Sequence, residues 1–254
     1  MNKLEASCLA FSYGGKNIIE NVTFAAHSGE SWAVIGRNGA GKSTLLKCLC
    51  GLLKPCGGDA LIGGVSVNSV SPRQTALQIA YVPQGGGRIA PPFTVREYVM
   101  MARHPYTNFG TPPNRKDKES ADFALAVTDI SHLAGRMMNT LSGGEFQAAL
   151  IAGAVAQETP FLLLDEPTAH LDPHHQKNIA LMLKRIHTER GVSVITVTHD
   201  INFALSVHDN VLALVDGKTV FCGTKEEFRA DAVKNLSRIF SVEFRAAGGA
   251  YVIV

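Results

Sequence analysis

Residues 36–43 place glycines at 36, 39 and 41 and end in Lys42 and Ser43, satisfying G-x-x-x-x-G-K-[ST]. These types suit a polyphosphate. Glycines admit positive φ and close backbone approach, so successive N–H groups turn toward phosphate oxygens. A helix starting near Lys42 adds the positive end of its dipole. Lys42 is expected to reach the β- and γ-phosphates, and the Ser43 hydroxyl to ligate Mg²⁺. The competing reading is an ordinary glycine-rich turn. An apolar run before the loop and a helical pattern after it favour the phosphate loop.

Two further groups carry chemistry. Phe161 and three leucines run into Asp165 and Glu166. A carboxylate at the end of an apolar strand suits Mg²⁺, a role that falls to Asp165. Glu166 is placed to polarise a water as general base. By itself this run would read equally well as a strand with an acidic turn. Leu141, Ser142, Gly143, Gly144 and Glu145 precede a helical pattern, with Ser142 as N-cap. Two glycines at a helix start expose N–H groups and form a second anion site. One triphosphate needs no second site, so this one is read as serving a nucleotide held by another copy.

The elements that must position these groups alternate. Strands are expected over 4–13 and 22–26 around a turn at 14–17, then over 31–35, 60–67 and 79–82. A helix is expected from Lys42 to about Cys50, with Gly51 as C-cap. Gly85, Gly86, Gly87, Pro91 and Pro92 form a hinge-like break. A mostly helical block follows, with helices over 95–103, 117–128 and 145–158. Strands over 161–164, 192–197 and 211–215 then alternate with helices over 174–190 and 201–207. Ile179, Met182, Leu183 and Ile186 share one helix face. The pattern is that of an α/β chain with parallel strands. Residues 224–254 read as two short helices and a strand over 251–254.

Composition narrows the classes. The chain has 254 residues, 46% hydrophobic and 18% charged, with net charge +2, and its mean hydropathy is +0.09. That balance excludes whole-chain disorder and supplies no argument for nucleic acid. No apolar stretch approaches the roughly 20 residues of a membrane span. The first residues have no apolar run of secretory length, so the chain is expected to stay in the cytosol. Its five cysteines, at 8, 48, 50, 56 and 222, are odd in number and lack a C-x-x-C, and they are read as buried thiols.

In order and spacing, these motifs resemble the ATP-binding-cassette (ABC) ATPases, from Leu4 to about Gly223. The resemblance implies an α/β P-loop NTPase (RecA-like) core with an antiparallel β subdomain and a helical insertion subdomain. It makes 1–254 one ABC ATPase domain, with the insertion at about 88–158 and a C-terminal extension at 224–254. Tyr13 then matches the aromatic that stacks on adenine. Gly36, Asn38, Gly39, Gly41, Lys42, Ser43 and Thr44 would bind ATP. Gln84 would sense Mg²⁺ and the attacking water, joining Ser43 and Asp165 around the ion. Leu141 to Glu145 match the signature that meets the partner's ATP, and Asp172 the loop that crosses to the partner. His199 matches the switch histidine, catalytic with Glu166 and Gln84. Singly, these read as a core tyrosine, a strand-end amide, a turn aspartate and a helix-capping His–Asp pair.

Two positions depart from the family pattern. Arginines usual in the signature helix are replaced by Ala148 and Gly153. Gly153 mid-helix costs about 1 kcal/mol relative to alanine. His170, His174 and His175 are read as loop and helix surface rather than as a metal site. Residues 93–106, Ser71-Pro72-Arg73 and 198–204 resemble importer ATPases for iron–siderophore, haem and vitamin B12 complexes. That implies Mg²⁺ with ATP, a second copy of the chain, integral permease subunits, a substrate-binding protein and the cytoplasmic face of the membrane. Val99, Met100 and Met101 either face a permease helix or pack in the core. The alternatives are an exporter or lipid-translocating ATPase, or a soluble non-transport ABC protein. A GTPase or small-molecule kinase would have no use for Leu141–Glu145 and His199.

Overall fold

The run Ser31–Ile35 is buried at every position, as a parallel strand covered on both faces should be. Phe161–Asp165 and Ser193–Thr198 share that pattern. The computed structural model describes residues 3–85, 92–107 and 111–254. Two compact units make it up: Met1–Val70 joined to Ser193–Val254, and Ser71–Val192.

In the first unit, Ser31–Ile35 pairs in parallel with Ser193–Thr198 and with Asn210–Val215. Ile35 is level with Thr198 and Ala213, so the phosphate loop and His199 leave the same carboxyl edge. That edge is where open α/β sheets bind ligands. A second, antiparallel sheet runs Lys16–His27, Lys3–Tyr13, Gly57–Ile62, Val65–Ser66. The strand expected over 60–67 is instead a hairpin. Gly63 and Gly64 both have positive φ and turn the chain in two residues. Gly14 and Gly15 do the same, so the second strand starts at Lys16 rather than at 22. The loop helix is Lys42–Leu49, its C-cap is Cys50, and Gly51 lies one residue beyond at φ +73.

The strand Lys218–Thr224 was not anticipated; it pairs antiparallel with Asn210–Val215 across Asp216 and Gly217. The C-terminal helices Lys225–Ala230 and Ala232–Phe240 bury Phe228, Leu236 and Ile239 against Ala33, Ile35, Val211 and Ala213. The last strand, Ala250–Ile253, has a hairpin partner in Phe244–Ala247.

In the second unit, Ile79–Val82 pairs in parallel with Phe161–Asp165. Capping boxes begin four of its α-helices: Ser71 with Gln74, Thr94 with Glu97, Asn114 with Asp117, and Ser142 with Glu145. The expected starts at 117 and 145 fall on the last residue of these boxes, the third of each helix. The helices begin two residues earlier, at Arg115 and Gly143, where Arg115, Lys116, Gly143 and Gly144 offer no apolar side chain to reveal them. Ile179, Met182, Leu183 and Ile186 are buried along Pro173–Arg190, as expected. Val99 is core, Met100 is half-buried and Met101 is 54% exposed. Of the hinge-like break, Gly86, Gly87 and Pro91 lie outside the described residues; Gly85 has φ +67. Among the described residues, no helix is long and apolar enough to cross a membrane.

The thiols correct one expectation. Cys48 is buried and Cys50 half-buried, but Cys8, Cys56 and Cys222 are exposed. Burial pushes Cys48 up to about 12 and Cys50 to about 11, so both stay neutral.

Gly153 has a packing reason that helix propensity alone misses. A Cβ there would lie 2.9 Å from Cε1 of Tyr98, whose ring rests on the helix at this point. Gly153→Ala is therefore expected to lose about 1 kcal/mol of stability instead of gaining that amount, because overpacking outweighs propensity. Urea unfolding checks it. A stabilised variant would show that Tyr98 moves aside freely.

Candidate functional site

The loop from Gly36 to Ser43 is shaped by two close approaches. A Cβ on Gly36 would lie 2.3 Å from the Leu214 carbonyl oxygen, and one on Gly41 would lie 2.7 Å from that of Ile18. Gly39 meets nothing within 4 Å, but its φ of +84 suits glycine. Gly41, at φ +94, caps the helix through its backbone. The first helix residue, Lys42, is 6% exposed. Its Nζ donates to the carbonyls of Gly36 at 2.8 Å and Arg37 at 3.0 Å, which hold the ammonium within the loop. Asn38 and Gly39 are exposed, and Ser43 and Thr44 half-buried. Tyr13 is 52% exposed and meets Phe11 edge-on at 4.7 Å, so it is a surface ring rather than a core one. His199 is exposed, while Asp200 caps Ile201–Val207 by accepting from the Phe203 N–H at 2.9 Å.

The second unit holds the carboxylates. Asp165 is 2% exposed and Glu166 7%. The Tyr81 hydroxyl donates to Asp165 Oδ2 at 3.3 Å, a contact that sequence reasoning missed. Tyr81 lies on the neighbouring parallel strand, level with Leu163. Glu166 has φ +51, the left-handed region that a glutamate enters at a cost of about 1–3 kcal/mol. Gln84 is exposed two residues beyond Val82. The Ser43 hydroxyl, the Gln84 amide and the Asp165 carboxylate all offer hard oxygen donors, which fit Mg²⁺.

The same unit holds Leu141 to Glu145, the residues expected to form a second anion site. Ser142 caps Gly143–Ala156: its Oγ accepts from the Glu145 N–H at 3.4 Å, and its N–H donates to Glu145 Oε2 at 2.7 Å. The Ser142 N–H, then the Ser142 side chain, with Arg136 nearby, hold the Glu145 carboxyl below the usual carboxylate range. Leu141 is half-buried, Ser142 and Gly143 are exposed, and Gly144 is buried. Asp172 caps Pro173–Arg190 by accepting from the His175 N–H at 2.9 Å. Its other oxygen lies 2.7 Å from His175 Nδ1. The His175 N–H, then its ring, hold the Asp172 carboxyl low. His175 is therefore engaged rather than a free surface residue. Atoms of Asp172, His174 and His175 able to ligate a metal lie within 4.8 Å of one another.

Comparison with known proteins identifies the family. The family profile described as ABC transporter matches residues 19–169. The ferric enterobactin transport ATP-binding protein FepC of Escherichia coli is 36% identical over 89% of this chain and 83% of its own. An ABC transporter described as metal-chelate type, in an inward-facing conformation, superposes with a TM-score of 0.82 at 28% identity, covering 99% of this chain and 96% of that one. A dimeric ATP-binding cassette bound to ADP and Pi, MJ0796, gives 0.75 at 27% identity, covering 87% of this chain and 98% of that one. The chain belongs to the ABC transporter family. It has the family's α/β ATPase fold and is an ATPase that binds ATP.

Proposed function

We propose that this chain powers uptake of a metal chelate through separate permease chains, from the cytoplasmic face of the membrane. The observation that carries the reading is its 36% identity with a ferric enterobactin transport ATP-binding protein over 89% of the chain. That likeness supports the iron–siderophore member of the set formed with haem and cobalamin.

In this reading each site residue takes the role that its motif implies. Tyr13 stacks on adenine, while the amides from Gly36 to Ser43 and the Lys42 ammonium bind the phosphates. Ser43, Gln84 and Asp165 would hold Mg²⁺, which supplies charge neutralisation at the phosphate oxygens. Glu166 takes the proton of the attacking water. Gln84 orients that water, and His199 donates toward the γ-phosphate. Leu141 to Glu145 of a second copy close over the same ATP, and Asp172 faces the partner. Binding draws the dimer shut and hydrolysis releases it, a population shift that the permeases convert into transport. Met101, exposed on Val95–Met101, remains the apolar residue of that helix available to a permease.

The test is co-purification with the permease chains, then ATPase assay with the cognate binding protein, empty and loaded with a ferric siderophore. A several-fold rise on adding the loaded form is expected. An unstimulated ATPase recovered on ribosomes would contradict the proposal.

A further inference from the structure

Gly144 is buried because an imidazole covers it. A Cβ at this glycine would lie 1.9 Å from Cδ2 and 2.5 Å from Cγ of His175. The ring is held from its other side by Asp172, whose carboxylate accepts from both the backbone N–H of His175 and the ring. An ionised carboxylate only accepts, so Nδ1 carries the proton in this contact. Leu171, next in the same loop, has its Cδ2 3.7 Å from where a Cβ on Gly143 would sit. Leu171 and His175, on either side of the Asp172 cap, thus lie against Gly143 and Gly144; Gly144 is buried and Gly143 stays exposed.

The ring packs against Gly144 and meets the His174 ring edge-on at 5.6 Å. A cavity of about 490 Å³ opens beside it, lined among others by His132, Gly144, Ala148, His175, Met182 and Arg185. Ala148 stands where the family pattern has a long arginine, and its short side chain leaves that side open. The bond to Asp172 is the polar contact that sets the ring's orientation between Gly144 and this cavity.

We propose that His175 is a positioning residue that locks the signature glycines to the Asp172 loop, so that both meet the partner as one rigid edge. This rests on the reading of Leu141–Glu145 as the partner's ATP contact. His175 touches no nucleotide. It fixes where the N–H groups at the start of Gly143–Ala156 point, and a loose ring would leave them unregistered against the partner's phosphates.

The experiment measures ATP-driven dimerisation by light scattering in the Glu166→Gln background, alongside ADP affinity of the monomer. His175→Leu keeps bulk and loses the bond; His175→Asn restores a donor at the Nδ1 position. His175→Leu is expected to raise the ATP concentration for half-dimerisation about tenfold, the scale of one charge-assisted hydrogen bond. ADP affinity should be unchanged, and His175→Asn should recover most of the loss. A Leu variant that dimerises like its parent, or an Asn variant as impaired as Leu, overturns the proposal. Ser142→Arg separates it from the parent reading. If Ser142→Arg also dimerises normally, the signature reading fails and the proposal falls with it.

Discussion

Glu166→Gln is expected to bind ATP normally and to lose turnover by roughly 10²–10⁴-fold, the range for removing a general base. The substitution keeps the shape of the side chain at a site where shape is constrained. Glu166 is 7% exposed and sits at φ +51, and its carbonyl accepts from the Ala169 N–H at 3.1 Å. Glutamine suits that backbone as well as glutamate does, so the fold should be unchanged. What goes is a carboxylate that can accept a proton. Steady-state phosphate release, with ATP binding measured in parallel, separates chemistry from binding. A variant with full turnover would remove Glu166 from the role of base.

Arg103→Leu should destabilise the chain by about 3–5 kcal/mol, the cost of leaving a buried charge without its partner. Arg103 is 2% exposed and Asp117 1%, with 3.2 Å between Nε and Oδ1. Nη1 of Arg103 also donates to the Ala156 carbonyl at 2.7 Å and to Glu158 Oε2 at 2.9 Å, and the guanidinium lies 4.0 Å from the Tyr106 ring centroid. The residue thus ties the end of Val95–Met101 to the start of Arg115–Val127 and to the end of the signature helix, Gly143–Ala156. Leucine would leave the Asp117 carboxylate buried without its cation, though its capping bond from the Asn114 N–H at 3.0 Å remains. Arg103→Leu with Asp117→Asn should recover much of the loss, since no buried charge is then stranded. Urea midpoints of both variants measure this. Equal stability of parent and Arg103→Leu would show the pair to be dispensable.

The strands that carry the chemistry were legible because they are buried on both faces and read as unbroken apolar runs. Ser31–Ile35 and Ile79–Val82 match their expected bounds, and Phe161–Asp165 runs one residue longer. Edge strands were harder. Lys218–Thr224 is polar at its start, glycine-broken near its end and only half-buried, so its pattern is thin. Its signal was the Asp216–Gly217 pair, a dipeptide that favours a two-residue hairpin turn.

At the candidate site, the motif residues were readable but their neighbours were not. Tyr81 donates to Asp165 across a strand pairing that no local spacing announces. Tyr98 explains Gly153 only once two helices are packed. His175 had a local signal, since a histidine three residues after a helix-capping aspartate can return its ring to the cap. Its contact with Gly144 is tertiary and had none.

The central claim is that ATP joins two copies of this chain. Light scattering of Glu166→Gln at saturating ATP and Mg²⁺ tests it most directly. The account predicts twice the monomer mass with ATP and the monomer mass with ADP. A monomer under both conditions would contradict it.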